Sequence, residues 1–164
     1  MSDKIVLDLT EVLVDNGPVQ FCKECKLDSN LLPYPNAKLV KVELNLMAQF
    51  QKPNVWVSGE IVCHIDGFCD RCLTKVRDAI AIDFDQIFYK DSSDDEDAYV
   101  YTDSKLDITK AISDEIALGL PTNLLCSPDC KGLCPKCGAN LNEQQCNCDT
   151  ARDNAFSILK NLKF

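Results

Sequence analysis

From Val40 to Gln51 the side chains alternate, with Val40, Val42, Leu44, Leu46, Ala48 and Phe50 on one side and Lys41, Glu43, Asn45, Met47, Gln49 and Gln51 on the other. A period of two belongs to an extended strand with one face in a core and the other in water. Lys52-Pro53-Asn54 then supplies a turn, and the next run places Val55, Val57, Gly59, Ile61, Cys63 and Ile65 on its apolar face. Together the two runs predict a hairpin. A third run, Val76 to Tyr89, sets Ile80, Ile82, Phe84 and Phe88 on one side, and shorter strands fit Ile5 to Leu9, Val19 to Cys22 and Ala98 to Tyr101.

Two segments change to the helical period. Leu106 to Leu118 repeats Ile108, Ile112 and Ile116 at a spacing of four, with Asp107 available as a cap and Gly119 and Pro121 as a stop. Near the end, Ala155, Ile158, Leu159 and Leu162 form a stripe, and Thr150 with Asp153 matches a capping box. That stripe must dock, either on its own domain or in a partner's groove. The run from Asp91 to Asp97 holds five acidic side chains and reads as a loop; it lacks the spaced oxygens and Gly of a calcium site.

The expected fold is therefore mainly β with α elements, an α+β chain on an antiparallel curved or barrel-like sheet. Residues 1–122 are expected to form a β-rich domain with one helix. Residues 123–164 are expected to form a cysteine-rich zinc-knuckle tail and C-terminal helix packed on that first part.

Eleven cysteines in 164 residues is a high count. The N-terminus, Met1-Ser2-Asp3-Lys4, has no apolar signal core, and no run nears the roughly 18 apolar residues of a membrane span. These features predict a cytoplasmic protein with no membrane partner, and in a reducing compartment clustered cysteines serve as metal ligands more often than as disulfides. A net charge of -9 argues against holding nucleic acid by a general basic field, although a local basic patch is compatible with it.

Six of the cysteines, Cys126, Cys130, Cys134, Cys137, Cys146 and Cys148, crowd into one stretch. Cys134-Pro135-Lys136-Cys137-Gly138 has the form of a zinc knuckle, in which the Gly lets backbone amides turn toward two sulfurs. Six exceed the need of one tetrahedral ion, and Cys69-Asp70-Arg71-Cys72 offers a further pair after the central hairpin. One structural zinc is expected and two are allowed. In the two-site arrangement Cys69, Cys72, Cys126 and Cys130 hold one ion and Cys134, Cys137, Cys146 and Cys148 the other. The adjacency of Cys146 and Cys148 is tight for one metal, so Cys130 can instead replace either of them. A catalytic zinc needs an open position and usually His or carboxylate ligands, which this stretch does not display.

Cys22-Lys23-Glu24-Cys25 reads as half a metal site, a redox pair or surface thiols, and Cys63 as a buried thiol. His64, the only histidine, lies on the polar face with Trp56, Ser58 and Glu60, and no nucleophile with an orienting acid accompanies it. Trp56 suits either a base to stack on or the rim of a core. Arg71 and Lys75 flank the central cysteine pair and Lys131 and Lys136 flank the knuckle; if the two regions meet, these four form a small basic patch for phosphate or an acidic partner.

Cys69-Asp70-Arg71-Cys72-Leu73, then Leu120-Pro121, then Cys130 to Asn142 with Cys146-Asn147-Cys148, resembles the YceD family, bacterial proteins described as required for accumulation of large-subunit ribosomal RNA. The resemblance implies a non-enzymatic cytoplasmic factor in ribosome biogenesis. Its expected partners are large-subunit ribosomal RNA or a precursor particle, or a ribosome-assembly protein; nothing in the residues specifies an oligomeric state. Some relatives lack much of the terminal cysteine cluster, which implies a metal that stabilises the tail. Cys22 and Cys25 lie outside the resemblance. A rival expectation is a redox-responsive zinc-binding regulator, in which oxidation expels the metal.

Overall fold

A computed structural model describes residues 4–15, 17–91, 98–102 and 104–148. The chain runs β1 (Val6–Asp8), α1 (Thr10–Asp15), β2 (Val19–Cys25), a single 3-10 turn (Ser29–Leu31), β3 (Ala37–Gln51), β4 (Asn54–Phe68), β5 (Lys75–Lys90), β6 (Tyr99–Tyr101), β7 (Lys105–Asp107) and α2 (Thr109–Gly119). It is mainly β with few helices.

The three long strands form the frame, β3 pairing with β4 and β4 with β5, all antiparallel. Adding β2 and β6 gives one five-stranded sheet in the order β2-β3-β4-β5-β6, while β1 and β7 form a separate pair. The sheet is open. Its outer strands, β2 and β6, do not meet, so the expected barrel-like closure does not occur among the described residues. Nor is the sheet wholly antiparallel, because β6 joins β5 in parallel through Phe88, Tyr89 and Lys90.

The alternation of the long strands sorts them into a core face and an outer face. Val42, Leu44, Leu46 and Ala48 of β3, Val55, Val57, Ile61, Cys63 and Ile65 of β4, and Val76, Ile82, Phe84 and Phe88 of β5 are buried. Ala111, Ile112 and Ile116 of α2 cover this face, packing mainly on β5. Three positions depart from the expected pattern, among them Phe50, which is only half-buried. Val40 is 52% exposed and Leu39 is buried, because a bulge shifts the register between Leu39 and Lys41. Ile80 is only half-buried.

Gly59 interrupts the apolar face of β4 for a steric reason. Its φ is +149°, and a Cβ there would lie 2.1 Å from the Asn45 carbonyl oxygen. Only glycine allows β3 so near.

Both described helices, α1 and α2, begin with the same device. Asp8 accepts the Thr10 amide at 2.9 Å, and Asp107 accepts the Thr109 amide at 3.0 Å. Each carboxylate thereby satisfies a backbone donor that the helix itself leaves unpaired. Asp107 thus caps as expected, but α2 starts later than its periodicity suggested, since Leu106 belongs to β7. The expected helix over 155–162 and the acidic run from Ser92 to Asp97 lie outside the described residues.

Candidate metal centre

The turn between β4 and β5 holds the first pair of sulfurs. Cys69 N donates to Thr74 O at 2.9 Å and Leu73 N to Cys69 O at 2.9 Å, closing a turn in which Leu73 takes a positive φ of 59°. Cys69 and Cys72 are both buried.

Beyond α2 the tail returns to this turn, and Asp70 receives it. Asp70 N donates to Leu124 O at 2.8 Å, and the Asp70 carboxylate accepts Leu124 N at 2.7 Å. Arg71 adds two more ties: its carbonyl accepts Leu133 N at 3.1 Å, and its Nη1 donates to Cys130 O at 3.0 Å. Gly132 passes between them with φ +74°, and a Cβ there would stand 3.1 Å from Arg71 O. These contacts carry Cys126 and Cys130 onto the first pair, with Cys69 Sγ 3.8 Å from Cys130 Sγ and Cys72 Sγ 3.5 Å from Cys126 Sγ.

The second pair forms a knuckle of its own. Cys134 N donates to Ala139 O at 2.8 Å and Gly138 N to Cys134 O at 2.9 Å, with Gly138 at φ +72°. Cys146 and Cys148 close on it. Asn142 links the two sites, accepting Lys131 N at 2.8 Å and donating through Nδ2 to Cys130 Sγ at 3.3 Å.

The eight sulfurs fall into two groups, Cys69, Cys72, Cys126 and Cys130 in one and Cys134, Cys137, Cys146 and Cys148 in the other, each with all Sγ atoms within 4.8 Å of one another. Both groups can hold a metal ion. A tetrahedral ion with metal–sulfur bonds of about 2.3 Å sets its sulfurs about 3.8 Å apart. A disulfide would need about 2.05 Å. The separations of 3.8 and 3.5 Å match the first geometry. Of the two alternatives left open by spacing, the sulfurs take the arrangement that keeps Cys146 and Cys148 together.

Protonation within each group is uneven. Burial opposes ionisation of Cys69, but the amides of Cys126, Cys72 and Arg71 aimed at its sulfur outweigh it and hold the thiol down to about 6. Amides of Cys137 and Lys136, with the Cys146 side chain, hold Cys134 down to about 6. Cys126 is pushed up to about 12 by the side chains of Cys72 and Cys130, and Cys148 to about 12 by that of Cys137. One thiolate per group disfavours the next until a cation neutralises them together.

Of the other candidate residues, Cys22, Cys25, Cys63, His64 and Trp56 stand apart from this centre. Cys22 is exposed while Cys25 is buried, since residues three apart on β2 face opposite sides of the sheet. They cannot share a metal from that strand. Cys63 is buried, and burial first, then the nearby Cys25, push its thiol up to about 11. His64 Nε2 lies 3.1 Å from Glu43 Oε1, and Trp56 Nε1 donates to Asp85 Oδ1 at 2.6 Å. Arg71 and Lys131 flank Cys130, Lys136 is exposed in the knuckle, and Lys75 turns to Asp66 at 3.6 Å. Sequence reasoning missed Asp70 and Asn142. The position of Asp70 inside the first cysteine pair was a usable signal, whereas nothing near Asn142 announces its role.

Among the described residues no helix is long and apolar enough to cross a membrane. The family model described as large ribosomal RNA subunit accumulation protein YceD matches residues 57–163, a span that contains both cysteine groups. A protein of Mycobacterium tuberculosis strain H37Rv with no assigned role is 34% identical over 106 residues, 61% of this chain and 51% of the relative. The chloroplastic large ribosomal RNA subunit accumulation protein YCED homolog 1 of Arabidopsis thaliana is 26% identical over 171 residues, 84% of this chain and 53% of the relative. Its namesake in Zea mays is 39% identical over 124 residues, 75% and 36% respectively. The chain thus spans about half the length of these curated relatives, or less. No solved structure matches it.

Proposed function

The chain belongs to the YceD family, and from that membership we propose that it is a non-enzymatic ribosome-biogenesis factor supporting accumulation or maturation of large-subunit ribosomal RNA. In this reading residues 123–164 form a tail held by structural zinc on a sheet-bearing part, residues 1–122, and the protein works in the cytoplasm. The family match carries the functional part. Its description names large-subunit ribosomal RNA accumulation, and two of the plant relatives bear the same name.

The donor sets support the role of the metal. Four thiolates saturate a tetrahedral ion, as in sites that fasten chains together. Zinc at Cys69, Cys72, Cys126 and Cys130 joins the β4–β5 turn to the tail, and zinc at Cys134, Cys137, Cys146 and Cys148 gives the tail a fold it is too short to build from a core of its own. Around these sites Arg71, Lys75, Lys131 and Lys136 meet phosphate of ribosomal RNA, of a precursor particle, or the carboxylates of an assembly protein.

The test is complementation in cells depleted of the protein. The intact chain restores the ratio of large- to small-subunit ribosomal RNA, and a Cys134→Ser, Cys137→Ser variant restores it poorly. An unaltered ratio upon depletion would overturn the proposal.

A redox-responsive regulator is the second reading. It is favoured by the unequal cover of the two groups: in one Cys134 is buried, Cys137 exposed and Cys146 and Cys148 half-buried, whereas in the other Cys69, Cys72 and Cys130 are buried and Cys126 is exposed. Mild peroxide then releases the outer zinc reversibly and alters binding to precursor particles. Unchanged binding after oxidation excludes this reading.

A further inference from the structure

At Val40, β3 carries one residue more than β4, since Leu39 pairs with Ile65 and Lys41 with the adjacent His64. Positions 38 and 41 lie an odd distance apart and would face opposite sides of a regular strand. The bulge brings both onto the outer face, where Lys38 stands opposite Asp66 and Lys41 opposite His64. Across β4 the rows continue, with Asp66 opposite Arg77 and Phe68 opposite Lys75.

This end of the outer face therefore gathers Lys38, Lys41, Lys75 and Arg77, and Phe68, which is 49% exposed, stands with Lys38 and Lys75. Two adjoining clefts of about 510 and 450 Å³ follow it and share Val40 and Asp66. Asp66 lies 3.6 Å from Lys75 and 3.4 Å from Arg77 and faces Lys38, and Asp78 lines the larger cleft, so two carboxylates stand among three cations in a chain of net charge -9. Lys41 is already held by Glu43 and Glu24. It adds little free charge. The pairs on Asp66 are exposed and weak, so an incoming phosphate can displace them.

We propose that this face binds a single-stranded segment of RNA, with phosphates on Lys38, Lys75 and Arg77 and a base stacked on Phe68. The proposal rests on the ribosomal RNA reading above and deepens it by giving the RNA a surface on the sheet, beside the clamp. An exposed aromatic ring set among cations suits an unpaired base and its backbone, whereas paired bases in a duplex offer it no free π-face.

Fluorescence anisotropy of the full, metal-loaded chain with a short labelled oligouridylate tests this at low salt. Phe68→Ala is expected to weaken binding about tenfold. Lys38→Glu with Arg77→Glu is expected to weaken it further and to flatten the salt dependence by a slope of about two. Circular dichroism and metal content, unchanged in both variants, show that the fold is intact. The proposal is overturned if both variants bind like the unaltered chain, if a duplex of equal length competes as well as the single strand, or if polyglutamate does, which would assign the face to an acidic protein. Loss of the face proposal leaves the family reading standing so long as depletion lowers large-subunit ribosomal RNA; that reading falls only if the RNA ratio does not change.

Discussion

The Sγ atoms of Cys69 and Cys130 stand 3.8 Å apart although 61 positions separate them in the chain. That distance matches an edge of a metal–thiolate tetrahedron, and it brings the tail against the turn between β4 and β5 that carries Cys69 and Cys72. Asp70 and Arg71, between the two turn cysteines, hold the same tail by hydrogen bonds to Leu124, Cys130 and Leu133.

Metal content follows from the two groups. The native chain is expected to carry two zinc ions, and Cys69→Ser with Cys130→Ser to carry one, while Cys22→Ser retains both. Elemental analysis of natively purified protein decides it. A value of one in the unaltered chain, or a loss with Cys22→Ser, contradicts the assignment.

Asp70→Ala removes the acceptor of Leu124 N and is expected to cost about 1–2 kcal/mol. Chelators should then strip the first zinc faster while the second is unaffected. Urea unfolding and the kinetics of zinc release measure the two effects; equal release rates from Asp70→Ala and the unaltered chain would show that Asp70 does not secure the tail.

Gly59→Ala forces a Cβ to 2.1 Å from Asn45 O and 2.9 Å from the Leu46 Cα. Both obstacles are backbone, so β3 and β4 must separate. A loss of about 3 kcal/mol or more is expected, along with a lower melting temperature. A melting temperature equal to that of the unaltered chain would refute the close approach.

Cys63 gives the fold an alkaline weakness. Its folded thiol is raised to about 11 against an ordinary value near 9, so the folded state holds the proton more tightly. The resulting stability is complete below pH 9, declines as the unfolded thiol ionises, and is lost as pH rises through 11, a change of up to roughly 2–3 kcal/mol. Cys63→Ala, though less stable at neutral pH through the cavity it opens, should show a shallower decline between pH 9 and 11. Parallel declines in denaturant titrations would rule this out.

Much of the frame was legible because it rests on local periodicity. Val42 to Ala48 and Val55 to Ile65 alternate, and they pair as the expected hairpin. Val40 misled because a bulge is a property of two strands in register, which one strand cannot reveal. The barrel expectation failed for a similar reason: whether β2 and β6 meet depends on the twist and spacing of the whole sheet. Thr10 to Asp15 is too short for a helical period to emerge, although the Asp8-to-Thr10 spacing resembles the cap at Asp107. The cysteine grouping could be read from an excess of sulfurs, whereas Asp70 and Asn142 act across 54 and 12 positions and leave no local pattern. For Cys22 and Cys25 the decisive fact was parity: three positions along a strand reverse the face.

The two cysteine groups differ in when they can be completed. The knuckle group draws all its sulfurs from residues 134–148, so a short local loop suffices to gather them. The other group spans residues 69–130, and its two halves meet only after β4, β5 and α2 have been laid down and packed. Its loop-closure entropy is offset only once the sheet exists. An ion at the Cys69 group would therefore need the packed sheet, whereas one at the knuckle would need only residues 134–148, even though its last sulfur, Cys148, leaves synthesis after every residue of the Cys69 group.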